Sequence, residues 1–238
     1  MPGVAALVVA AGSGKRMGTG NIPKQFLPLA SLPVLAHTLA RLESFHCLSE
    51  VVLVTRQEDI EKCRSDLVHK YHFKKVRSIV PGGTTRQDSV YRGLQALDSE
   101  TEIVVIHDGV RIFITEEMVS ESIQEARKYG AAVVAVPVKD TVKRVSEDGF
   151  VSQTLDRSGL WAVQTPQTFN YPLIRSAYEK AREDGFYGTD DAMLLERLGF
   201  KVKVIPGTYR NIKITTPEDL VLAEMILQNE LNENRDRL

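Results

Sequence analysis

The chain has 238 residues and sets 30 Lys and Arg against 31 Asp and Glu, a formal net charge of -1, so it has no global field to hold nucleic acid or an anionic membrane. A chain this long buries roughly three quarters of its unfolded surface, and a single domain spanning 1–238 is the expectation. Two cysteines, Cys47 and Cys63, are too few for a disulfide framework or a zinc site and fit a reducing, cytoplasmic setting.

Val4 to Ala10 is continuously apolar, as a central strand covered on both faces must be. Basic residues follow this run instead of preceding it, unlike a secretory leader, and no segment reaches the about 20 apolar residues of a membrane span. Gly12 and Gly14 then allow successive backbone N–H groups to converge on an anion, with Lys15, Arg16 and Lys24 adding charge. This reads as a nest for a nucleotide triphosphate, against the alternative of a surface turn with solubilising lysines. It is not a Walker A loop, because Val9 and Arg16 stand where Gly and Ser or Thr are needed. Nor is it a dinucleotide fingerprint, whose third Gly would fall on Met17.

Ser31 to Phe45 has apolar residues at helical spacing, Val51 to Thr55 is a strand, Gln57 to Tyr71 is a charged helix and Val76 to Val80 a third strand. His69 and His72 lack partners at metal-ligand spacing and read as a solvated face. Pro81-Gly82-Gly83 breaks the chain before a helix over Thr84 to Leu97. Its first turn, with Gly83, Arg86 and Ser89, is a second place for a nucleotide or a plain helix start.

Glu102 to Ile106 is a strand running into His107-Asp108-Gly109-Val110-Arg111. Ligands of open α/β sheets gather beyond the carboxyl ends of strands, so Asp108 and Arg111 are candidates for a metal ligand and a phosphate clamp, or for a structural salt bridge. Thr115 to Tyr129 is a helix stopped at Gly130, and Ala131 to Val136 a fifth strand. Val138 to Asp156 then alternates and turns at Glu147-Asp148-Gly149, which predicts a β-hairpin arm that interrupts the strand-helix rhythm. Leu160 to Gln164 returns to strand. Tyr171 to Glu183 is a helix, Thr189 caps another running to Leu198, and Lys201 to Ile205 and Asn211 to Ile214 are short strands. Thr216-Pro217-Glu218-Asp219 opens the last helix. The alternation predicts an α/β fold, a Rossmann-like, doubly wound, mostly parallel twisted sheet with a protruding β-arm at about 138–158.

Fold alone does not select a chemistry. The ordered landmarks do: AAGSGKRM at 10–17, PKQF at 23–26, the GG at 82–83 with Arg86 and Ser89, HDGVR at 107–111, VKDTVKR at 138–144, DRSGLWAVQTPQTF at 156–169, TDDA at 189–192 and NIKITTPEDL at 211–220. Over about residues 4 to 228 the chain resembles the 2-C-methyl-D-erythritol 4-phosphate cytidylyltransferase family of non-mevalonate isoprenoid biosynthesis. Ribitol 5-phosphate cytidylyltransferase is the nearest rival, and a catalytically silent nucleotide-binding relative is the rival from another class.

The resemblance implies that Ala10, Ala11, Gly12 and Gly14 line a CTP site, and that Gly83, Ser89 and Gly109 hold base and ribose. It implies Arg16, Lys24 and Lys213 as the catalytic cations and Asp108 as the Mg²⁺ ligand and a substrate contact. Arg111, Thr165 and Thr189 would bind methylerythritol phosphate. Thr141 and Arg157 in the arm would reach a neighbouring subunit's site in a homodimer. Two departures stand out: Ile112 replaces the Pro expected after Arg111, and the loop from Arg16 to Lys24 is one residue longer. The chemistry needs no general base, since a phosphate monoester is already ionised, which accounts for cations and amides where a base would otherwise stand. His107 accordingly reads as a locally hydrogen-bonded residue.

Overall fold

The computed structural model describes residues 3–12, 17 and 22–235. Gly14, Lys15 and Arg16 lie outside the described residues, as does most of the lengthened loop before Lys24. The strands in chain order are β1 (Gly3–Val9), β2 (Pro28–Leu29), β3 (Leu32–Pro33), β4 (Glu50–Thr55), β5 (Val76–Pro81), β6 (Thr101–Asp108), β7 (Ala131–Pro137), β8 (Lys143–Val145), β9 (Val151–Thr154), β10 (Trp161–Asn170) and β11 (Lys203–Pro206). The helices are α1 (Val34–Ser44), α2 (Ile60–Lys62), α3 (Arg86–Gln95), α4 (Glu116–Tyr129), α5 (Tyr171–Glu183), α6 (Ala192–Arg197) and α7 (Pro217–Arg235).

Seven strands form one sheet in the order β11-β7-β10-β6-β1-β4-β5. All run parallel except β10, which is antiparallel to both β6 and β7. The period-two alternation of a strand divides β1 between two cores. Val4, Ala6 and Val8 face Leu35 and Leu39 of α1 and Ile123 of α4, whereas Ala5 and Leu7 face Val90 and Leu94 of α3 and Ile174 of α5. Each such fully buried Leu or Ile contributes about 1.5–3 kcal/mol. A third cluster joins Leu29, Val34, Ile112, Phe113, Ile214 and Ala223, seating α7 against β2, the start of α1 and the segment that follows β6.

Helix starts follow side-chain chemistry. Thr85 and Asp88 close a reciprocal capping box at α3, and Thr115 Oγ1 accepts the Met118 N–H at α4. Gly130 ends α4 at φ 88°, a left-handed conformation that a side chain would strain. Among the described residues no helix is long and apolar enough to cross a membrane.

Four local expectations change. The charged stretch after β4 is a short 3₁₀ turn at Gln57–Asp59 followed by α2 and a π-helical Cys63–His69. Asn211 to Ile214 is not a strand: it has no ladder partner and is pinned by Ile214 N–H to Val110 O at 3.0 Å. Thr189 does not cap α6. The Asp190 carboxylate accepts the Met193 N–H at 3.0 Å, while Thr189 Oγ1 points at the Met193 sulfur. Finally, β10 does not stop at Gln164 but continues to Asn170, with a register shift between Val163 and Gln167. The predicted arm is an antiparallel ribbon of β8 and β9, turning at Gly149 with φ 87°.

Candidate active site

From β1 the chain goes outward to β4 and β5 and then returns to β6 on the other side of β1, so the topological switch point lies between β1 and β6. A crevice is expected beyond their carboxyl ends. A cavity of about 430 Å³ lies there, lined by Ala10, Ala11 and Gly12 after β1, Gly83 to Arg86 and Ser89 at the start of α3, Asp108 at the end of β6, and Lys24, Gln25 and Lys213. A smaller cavity of about 150 Å³ adjoins it, lined by Arg111, Gln164, Thr165, Gln167, Thr189 and Asp190. Arg86, Asp108 and Lys213 line both.

The larger cavity is walled by backbone. Ala10 N–H donates to Val54 O at 2.7 Å, and Gln25 Nε2 donates to Ala10 O at 2.9 Å, fixing the first turn after β1. Ser89 Oγ donates to Thr85 O and accepts the Gly83 N–H at 3.0 Å, tying the Gly-Gly loop to α3. Glycine is required at 83, where a Cβ would lie 2.2 Å from that of Asp88. Gly109 lies just behind the wall, where a Cβ would come within 3.1 Å of that of Ala10.

Asp108, buried, sits at the junction of the two cavities. Its Oδ2 is 2.8 Å from Lys213 Nζ and 3.5 Å from Arg111 Nε, and its Oδ1 is 3.5 Å from Arg86 Nε. Burial pushes its pKa up, but the charges of Arg86, Lys213 and Arg111 outweigh this and hold the carboxyl well below its ordinary range. Arg111 donates through Nη1 to Asn211 O at 2.7 Å, while its buried Nε has no hydrogen-bond partner. Burial pulls the Arg111 guanidinium below its usual value, with Asp108 opposing. Lys24 Nζ donates to Ile214 O at 3.0 Å, so Lys24 and Lys213 are both fixed by the segment that enters α7.

His107 is fully engaged. Arg111 O must accept, so Nε2 carries the proton in their 2.9 Å bond, and Nδ1 accepts from Thr165 Oγ1 at 2.9 Å. Thr165 Oγ1 accepts in turn from Asp108 N–H at 3.1 Å. Burial pushes the His107 pKa down to about 4, against its bond to Arg111 and the charge of Asp108. A neutral ring with both nitrogens occupied is a brace between β6 and β10. Ile112 is wholly buried in the third cluster, where its side chain anchors the turn that the expected Pro would restrain through its ring.

Thus the sequence-derived positions Ala10, Ala11, Gly12, Gly83, Ser89, Lys24, Asp108 and Lys213 line the larger cavity, and Arg111, Thr165 and Thr189 line the smaller one. Thr141 and Arg157 line neither; both are exposed on the arm, where Arg157 donates to Lys139 O. Sequence reasoning missed Gln25, Gln164, Gln167 and the bidentate pair of Arg86 with Asp191. All three glutamines are buried and satisfied by distant partners, as buried polar side chains must be, Gln25 in the 3₁₀ turn Lys24–Phe26 and Gln164 and Gln167 in β10.

The sequence profile of the 2-C-methyl-D-erythritol 4-phosphate cytidylyltransferase family matches residues 4–229. The chain belongs to this family. It is 51% identical over 229 residues to the 2-C-methyl-D-erythritol 4-phosphate cytidylyltransferase of Syntrophus aciditrophicus, covering 96% of this chain and 97% of that one. The crystal structure of 4-diphosphocytidyl-2C-methyl-D-erythritol synthase from Anaerococcus prevotii superposes with a TM-score of 0.84 at 38% identity, covering 95% and 96% of the two chains. The cytidylyltransferase from Thermus thermophilus gives 0.77 at 31% identity, covering 93% and 98%. The mostly parallel sheet and its flanking helices are thus the architecture of the cytidylyltransferase family.

Proposed function

We propose that the two adjoining cavities divide the reaction of this cytidylyltransferase family between them, CTP in the larger and 2-C-methyl-D-erythritol 4-phosphate in the smaller. The activity is that of the family: CMP passes from CTP to the sugar phosphate, giving 4-diphosphocytidyl-2-C-methyl-D-erythritol and pyrophosphate for isoprenoid biosynthesis. The observation that carries the division is that Arg86, Asp108 and Lys213 line both cavities, so reacting groups from either side would meet there.

A phosphate oxygen of the acceptor attacks the α-phosphorus in line, one P–O bond forms, and the bond to pyrophosphate breaks. The acceptor oxygen is already anionic, and His107 is neutral and occupied, which supports a mechanism without a general base. The work left to the protein is to bring two polyanions together and neutralise the crowded centre. Lys213 and Lys24 supply that charge from this chain, and Arg16, outside the described residues, is assigned to the same task by resemblance. Arg111, whose guanidinium lies beside Asp108, and Thr189 receive the acceptor in the smaller cavity, with Thr165, whose hydroxyl proton goes to His107, lining it behind them. Gly83, Ser89 and the turn at Gly109 shape the end for base and ribose; Ala10, Ala11 and Gly12, with Gly14, line the phosphates.

Asp108 fits a Mg²⁺ ligand. It is ionised, and it is the one carboxylate lining the larger cavity among the described residues. Mg²⁺ commonly takes one or two protein carboxylates and completes its shell with phosphate oxygens and water, a part that Asp108 could fill from the cavity junction. When bound it would neutralise triphosphate charge.

A homodimer is supported by the arm, whose Val145, Phe150 and Val151 are 55%, 72% and 59% exposed. Such an apolar tip asks for a cover, and Thr141 and Arg157 on the same arm lie outside this chain's own cavities. The free thiols of Cys47 and Cys63 suit the cytoplasm. The test is pyrophosphate release from each NTP with each acceptor. CTP with methylerythritol phosphate should lead all other pairings; equal or faster release with ribitol 5-phosphate would replace the acceptor, and none with any pairing would replace the activity.

A further inference from the structure

Segment 186–191 forms one wall of the smaller cavity through Thr189 and Asp190; Gln167 of β10 bonds Asp190 and the Asp191 N–H from one side, and the helix that walls the larger cavity holds the segment from the other. Arg86, at the start of α3, donates to both carboxylate oxygens of Asp191, at 2.8 and 2.7 Å across 105 residues of sequence. Asp191 is fully buried and also accepts the Tyr178 hydroxyl. Next to Arg86, Gln87 Nε2 donates to Phe186 O and Gln87 Oε1 accepts the Gly188 N–H, both at 2.9 Å. Two consecutive residues of α3 thus make four hydrogen bonds to one segment. The Arg86 Nε remains 3.5 Å from Asp108 Oδ1. Burial opposes the Arg86 charge, but the carboxylates of Asp191 and Asp108 together hold the guanidinium protonated.

A buried ion pair is weak evidence for stability, since desolvation consumes most of its Coulomb energy. What a planar bidentate pair supplies is geometry, which a lysine at the same place cannot reproduce. We propose that Arg86, together with Gln87, is a positioning residue that locks the acceptor-side segment 186–191 to the nucleotide-side helix α3. Acting through Asp191 and Asp108, it keeps the sugar phosphate in register with the α-phosphorus. The inference rests on the assignment of the two cavities above.

The experiment measures kcat, KM for methylerythritol phosphate, and CTP affinity by calorimetry without acceptor, in wild type, Arg86→Lys and Gln87→Ala. Arg86→Lys keeps the charge and loses the fork; kcat should fall about 10- to 100-fold, the scale of a misplacement near 1 Å. Its KM for the sugar phosphate should rise about tenfold, 1.4 kcal/mol, and, because Arg86 also borders the larger cavity, its CTP affinity should fall by a smaller factor, about threefold or less. Gln87→Ala removes two of the bonds without stranding a buried charge, so it keeps the test open should the lysine variant fail to fold; it should shift kcat and the acceptor KM in the same direction by about threefold, or 0.7 kcal/mol. A merely structural role would lower thermal stability and the active fraction, leaving both substrate affinities unchanged. Folded Gln87→Ala with wild-type kcat and acceptor KM, or Arg86→Lys with CTP affinity lost as much as acceptor affinity, overturns the inference. Wild-type protein that makes no product from this pair overturns the cavity assignment itself.

Discussion

Replacing Lys213 with Met removes the ammonium 2.8 Å from Asp108 Oδ2 and keeps most of the stem's bulk. Arg86 and Arg111 remain 3.5 Å from the same carboxylate, so Asp108 keeps two cationic neighbours and the fold should persist. The loss falls on the transition state. One unit of charge developing about 4 Å from the ammonium, at an effective dielectric near 20, interacts by about 4 kcal/mol. The Lys213 side chain is 37% exposed, and solvent screening trims this to about 3 kcal/mol, or roughly 10²-fold in rate. Rapid-quench single turnover with both substrates saturating isolates the chemical step, and Lys213→Arg, which keeps the charge, should retain more of the rate. A Lys213→Met enzyme that turns over within about threefold of wild type, under 1 kcal/mol of barrier, would refute the electrostatic reading of the centre.

Three further outcomes are expected. Because the folded His107 has a pKa of about 4 and an unfolded histidine one near 6.5, the unfolded chain takes the proton first as pH falls. The stability present above about pH 6.5 should then drop by about 3 kcal/mol on approaching pH 4; urea unfolding of metal-free protein at pH 7.5 and 4.5 measures this, and a His107→Gln chain should show a flatter profile. Gly83→Ala puts a Cβ 2.2 Å from that of Asp88 and must displace the loop at the start of α3, so CTP binding by calorimetry should weaken by about tenfold or more, 1.4 kcal/mol; unchanged affinity would remove Gly83 from the nucleotide site. If Arg157 serves the partner's site, equal mixing of inactive Arg157→Ala and Lys213→Ala chains should restore about a quarter of wild-type activity, since half the dimers are mixed and each has one complete site. No recovery after confirmed subunit exchange would count against a shared site.

The parts of the fold legible in the sequence are those whose signal is local. β1, β4, β6 and β7 are continuous apolar runs because both faces are covered, and α3, α4 and α7 begin at Thr, Pro and acidic residues that serve their own first turns. β10 reads short in the sequence because Gln164, Thr165, Gln167 and Thr168 are polar; each is buried and bonded to something distant in sequence. Asn211 to Ile214 alternates as a strand does, but its apolar residues serve the third core cluster and no neighbouring edge takes its backbone. At α6, three adjacent residues compete for one cap, and side-chain reach favours Asp190 over Thr189. In the site, glycines and lysines lie in short motifs and can be found one motif at a time. The pairing of Arg86 with Asp191 cannot, because neither residue's neighbours specify the other.

The antiparallel strand of the seven-stranded sheet has a consequence for where this architecture can change. Because β10 runs against its neighbours, the chain leaves β7 and enters β10 at the same rim of the sheet, the rim where β1 and β6 end and the cavities open. The excursion between them can lengthen, shorten or be re-sequenced without shifting the register of any core strand. On the proposal that the arm pairs subunits and reaches the partner's acceptor site, both roles sit on this one appendage, while the nucleotide side stays within the fixed parallel frame. Related chains that differ in acceptor are expected to differ first between Val138 and Leu160.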